Sequence, residues 1–66
     1  MIDIPKTTIE LLVFEYGKTE DEAKALVKKH VDVIMSAIMG GFTMSSVRAA
    51  AMAIEMKERK LTEQVV

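Results

Sequence analysis

The side chains able to do chemistry in this sequence are few and stand apart. There is no cysteine, which removes disulfides, thiolate nucleophiles and thiolate metal ligands together. The single histidine, His30, could supply one imidazole where a zinc site asks for several ligands, so neither a metal nor another cofactor is expected. His30 falls on the apolar side of a helical stretch, with Lys29 and Asp32 off to the sides, and is expected as a partly buried packing residue. Glu20, Asp21 and Glu22 have the look of an acid/base or cation cluster. They also follow Thr19 directly, in a first helical turn, where negative charge meets the positive end of the helix dipole, and that position accounts for them. Thr43, Ser45 and Ser46 follow Gly40-Gly41, where the free N–H groups of a helix start can hold a phosphate or carboxylate. No lysine stands beside the glycines as a nucleotide loop requires, so capping is the expected role. The residues point to no enzyme.

These groups have to be carried by helices. Apolar residues recur at three- and four-residue spacing throughout, and the only proline is Pro5. The punctuation predicts an all-α, small three-helix domain with helices at about 7–16, 19–39 and 43–60, the whole of 1–66 forming one domain. The first helix is opened by Asp3 or by Thr7, which has Glu10 at capping-box spacing, and closes at Gly17. The second opens at Thr19, again with Glu22 three residues on. It carries Ala23, Leu26, Val27, His30, Val31, Ile34, Ala37 and Ile38 on one face as far as Gly40-Gly41. The third is capped by Thr43 or Ser45, and Val47, Ala50, Ala51, Ile54 and Leu61 form its core stripe. Glu20 with Lys24 and Glu55 with Arg59 have the spacing of helix-surface ion pairs. The glycine-to-threonine handover at Gly17-Lys18-Thr19 recurs 24 residues later at Gly41-Phe42-Thr43, as joints between helices reuse the same stop and start signals.

One constellation is more specific. Ala37, Gly41 and Val47, spaced by four and then six, resemble the helix-turn-helix motif of DNA-binding proteins. In that motif the alanine lets two helices cross closely, the glycine takes a left-handed turn and the branched residue seats the recognition helix. Phe42 and Ala50 fall where the motif also has apolar residues, while Gly40 stands where a larger apolar residue is usual. The likeness covers about 20 of the 66 residues. It implies that Thr43, Met44, Ser45, Arg48, Ala49 and Met52 face the major groove. Of these only Arg48 can make a bidentate guanine contact, so Thr43, Ser45 and Arg48 are the candidate DNA contacts.

A chain of this length buries only about 60% of its unfolded surface, and one such core supplies about 3 to 5 kcal/mol, so a partner subunit is an expected support. Two sets of residues exceed the needs of a lone core. Leu11 and Phe14 point away from the stripe of Ile9, Leu12, Val13 and Tyr16. Met52 and Met56 lie beside Ala49 and Ala53, where small residues let another backbone approach and methionine fills gaps. The expectation is a homodimeric helical bundle acting as a regulatory or inhibitory protein-interaction module. Its interface would be Leu11, Phe14, Ala49, Met52, Ala53 and Met56, and its partners a second copy and another protein. DNA binding is the alternative function.

Composition narrows the rest. Half of the residues are hydrophobic and 29% are charged, a balance that folds rather than stays disordered. A formal net charge of −1 gives no overall attraction to nucleic acid or to an anionic membrane. No apolar run approaches the ~20 residues of a bilayer span, and the first residues lack the pattern of a signal peptide. The expected location is the cytoplasm. Leu61, Val65 and Val66 close the chain with apolar residues that either dock or fray.

Overall fold

The computed structural model describes residues 2–63, so the expectation for Val65 and Val66 lies outside it. Among the described residues there are four helices and no strand: α1 (Ile4–Tyr16), α2 (Glu20–Lys29), α3 (Val31–Met39) and α4 (Met44–Glu63). The all-helical class is as expected; the count of three helices is not.

α1 begins earlier than the Thr7–Glu10 spacing suggests. Asp3 is the N-cap, accepting from the Lys6 amide at 3.2 Å, and Pro5 sits in the first turn, where no N–H is missed. Thr7 lies inside the helix, its amide bonded to the Asp3 carbonyl, and the early start buries Ile4. Thr8 is buried as well and satisfies its hydroxyl on the Ile4 carbonyl at 2.6 Å. Gly17, at φ 65°, ends the helix, and the Gly17 and Lys18 amides both reach back to the Leu12 carbonyl, the latter at 3.1 Å, closing the last turn.

The helix expected over 19–39 is two helices. Its start is as read: Thr19 and Glu22 form both bonds of a capping box, each at 3.1 Å. It stops at His30, which has non-helical φ −108° and ψ 45° and serves as the end of α2 and the start of α3. Neither glycine nor proline causes the break. Val31, Asp32, Val33 and Ile34 are weak helix formers, and side chains of the corner are tied to α4. Val31, which a continuous helix would bury, is 58% exposed, and Val33 packs against the core in its place.

α3 ends at Gly40, and Gly41 takes a φ of 113°, which only glycine adopts without strain. Thr43 then caps α4, its hydroxyl accepting from the Ser46 amide at 3.2 Å, while Ser45 lies within the helix. The 20 residues of α4 span about 30 Å and form the spine of the molecule, against which α1 and α3 pack. Val47, Ala50, Ala51 and Ile54 face Ile4, Leu12, Ala23 and Ile34 in one buried cluster. Leu61, expected in that stripe, is 44% exposed: by then α4 has run past the body, and Leu61 borders a hollow beside His30.

Candidate interaction faces and the polar corner

Glu58 sits on α4 in line with the core positions Val47, Ala51 and Ile54, a carboxylate where the stripe has apolar residues. It is satisfied by the α2–α3 corner. His30, 7% exposed, places Nε2 2.7 Å from Glu58 Oε2, and Lys29 Nζ reaches the same oxygen at 3.1 Å. Beside them Lys57 Nζ donates to Asp32 at 2.9 Å. With its Nε2 protonated the ring donates to the carboxylate, so the group acts as a polar clasp fixing the angle between α2 and α3 on the flank of α4. His30 is buried as expected, but its partner escaped the sequence reading. The signal was available: a glutamate at a core position needs a donor, and His30 is the polar residue on the facing apolar stripe.

The clasp gives a pH dependence. Hydrogen bonds from His30 and Lys29 hold the Glu58 carboxyl below its ordinary value. A carboxyl lowered in the folded state contributes stability that is fully present above its unfolded pKa of about 4.3 and is lost as pH falls through the folded value. The urea midpoint should therefore fall on acidification from about pH 6 to about pH 3, and Glu58→Gln should lower it at the upper end and flatten the slope. Equal slopes in both proteins would remove Glu58 from the dependence.

The remaining surface pairs are partly as expected. Lys24 meets Glu20 at 3.2 Å, both exposed. Glu55 does not pair with Arg59; it turns toward the body, 3.4 Å from Lys18 Nζ at the α1–α2 joint.

The outward side of α4 carries an apolar stripe. Ala49, Met52 and Met56 are exposed and Ala53 is half-buried; the two methionines are 55% and 62% exposed. Arg48, Met52, Met56 and Lys60 recur every four residues and so form one row along the helix. Ala53 and Met56, with Lys57, Arg59 and Lys60, line a hollow of about 460 Å³. Ala53 also lines a groove of about 300 Å³ between α3 and α4, walled by small residues including Ser36, Gly40, Ser46 and Ala49. Hollow and groove therefore adjoin.

The two α1 residues expected at the same interface separate. Phe14 is 84% exposed, but Leu11 is not left in water: α1 touches all three other helices, which covers a wider arc of it, and Leu11 packs against the core. A second exposed apolar row lies on α3. Val31, Met35 and Met39, four residues apart on α3, are all exposed.

At the joint, α3 has nine residues and Gly40 to Thr43 lead into α4. Ala37 lines the groove against α4, Gly41 has its positive φ, and Val47 and Ala50 are buried; Phe42 is largely exposed. Ser45 and Arg48 are exposed near the start of α4, whereas the Thr43 hydroxyl is committed to the cap. No helix among the described residues is long and apolar enough to cross a membrane, and no cluster of three or more potential ligands that could hold a metal ion occurs among them. No family model, curated protein or solved structure matches the chain.

Proposed function

We propose that the protein is a homodimeric protein-interaction module that regulates or inhibits another protein by occupying its surface. The observation that carries this reading is the outward stripe of Ala49, Met52, Ala53 and Met56 along the longest helix, contiguous with a groove of small residues. Charge assigns different tasks to the two apolar faces. The α4 stripe is bordered by Arg48, Arg59 and Lys60, and two copies joined through it would set these cations against one another whether the helices ran parallel or antiparallel. The Val31–Met35–Met39 row carries no charge of its own and suits contact with its own copy about a two-fold axis. Light scattering over a wide concentration range should give twice the monomer mass, and Met35→Glu with Met39→Glu should return the chain to monomer. A monomer at every concentration would end the homodimer reading.

The joint favours a second reading, a compact helix-turn-helix regulator of DNA, because Gly41 has a positive φ and Val47 is buried, as that motif needs, although Ala37 lines a groove rather than a close helix crossing. Against it stands a reading surface with one arginine. Titration with mixed-sequence duplex DNA at low salt decides: amide shifts confined to Thr43 through Met52 and fading with salt would establish this reading, and Arg48→Ala would then relax preference at one base pair by about 1 to 3 kcal/mol.

A further inference from the structure

We propose that the outward face of α4 receives an acidic amphipathic helix from the partner protein. This rests on the interaction-module reading and names the chemistry of the partner that face accepts. Between Met44 and Lys60, α4 has two carboxylates, and both turn inward: Glu55 toward Lys18, and Glu58 to His30 and Lys29. The cations lie toward the stripe. Arg48, Arg59 and Lys60 border it with no ion-pair partner among the described residues; Arg59 also lines a second hollow with Glu55 and Glu58, and Lys57, though paired with Asp32, adds its charge beside the first. The face is thus an apolar centre with a mainly cationic rim.

Shape selects among anionic partners. The groove and the hollow share Ala53 and together follow α4 from Ser46 to Lys60, about 21 Å, the length of a helix of about 14 residues. Ala49 and Ala53 let a second backbone approach closely, and Met52 and Met56 adapt to apolar side chains at i, i+3, i+4 and i+7 of the incoming helix. Carboxylates flanking those anchors would meet Arg48 at one end and Arg59 and Lys60 at the other. Nucleic acid would meet the cations but leave the methionines without a counterpart.

The test uses the full chain, isotopically labelled, and three synthetic peptides of 14 residues. One has a leucine stripe with glutamates on its flanks, one the same stripe with lysines, and one the glutamates with serine in place of leucine. The leucine–glutamate peptide alone should shift the amides of Ala49, Met52, Ala53, Met56 and Lys60. Arg48→Glu with Lys60→Glu should weaken it by about tenfold or more and admit the lysine peptide. Both positions are exposed, and unchanged far-ultraviolet circular dichroism would certify that the variant folds. Equal or tighter binding of the lysine peptide to the native chain would overturn the acidic partner while leaving the interaction module standing. If no peptide shifts these residues, both fall, and shifts caused instead by phosphatidylserine vesicles or duplex DNA would assign the face to a lipid surface or a nucleic acid.

Discussion

Replacing Ile54 with alanine should abolish cooperative folding or bring it close to loss. Ile54 is wholly buried at the middle of α4, in the cluster that includes Leu12, Ile34 and Val47. Truncating such a side chain costs about 2 to 5 kcal/mol, through lost transfer energy and the cavity left behind. The whole core of a domain this size supplies about 3 to 5 kcal/mol, so the two quantities are comparable. Thermal melting followed by circular dichroism reads this directly, since each kcal/mol moves the midpoint of so small a domain by about 4 to 8 °C. Met56→Ala, on the exposed side of the same helix, should stay within about 0.5 kcal/mol of the native protein. Comparable losses from the two variants would mean that α4 is not the spine against which the other helices pack.

The two adjacent glycines should respond oppositely to alanine. Gly41 has φ 113°, a conformation side chains rarely adopt, and Gly41→Ala should cost about 1 to 3 kcal/mol although the added carbon would meet only the Thr43 methyl at 4.0 Å. Gly40 has helical angles, φ −79° and ψ −6°. A carbon there would lie 3.4 Å from the Ala37 carbonyl and 3.6 Å from the Ser46 hydroxyl, which the structure accommodates. Gly40→Ala should be neutral or stabilise by up to about 1 kcal/mol, by restricting the unfolded chain. Urea titration of both variants measures the difference, and a Gly41→Ala protein as stable as Gly40→Ala would show that the turn does not depend on its positive φ.

The helix ends marked by side-chain chemistry were legible in the sequence. Thr19 with Glu22, Gly17 and Thr43 each act as their types and spacing imply, because capping is local and needs only a few residues. The break at His30 was not legible. It inserts no residue and involves no glycine or proline, so the three- and four-residue spacing of apolar positions runs through it almost unchanged. What favours it lies about 28 residues away in Glu58, and pairing at that distance leaves no periodic trace. The same limit explains the surfaces. Met52 and Met56 stand outward as the α4 pattern implies, whereas Val31 is exposed at the corner next to His30, and Leu11 is covered through the contacts α1 makes with the other three helices.

That α1 packs on α4, the first described helix on the last, means that the core closes only where these two helices meet. Without α1 or α4 the buried cluster of Ile4, Leu12, Val47 and Ile54 would lose one of its walls to water. During folding the nearby α3–α4 contact closes a short loop, while α1 must find α4 across the length of the chain. The outward stripe of α4 is therefore carried on an element that can organise early, and α1, which completes the core, is the helix whose docking holds that stripe in its folded setting.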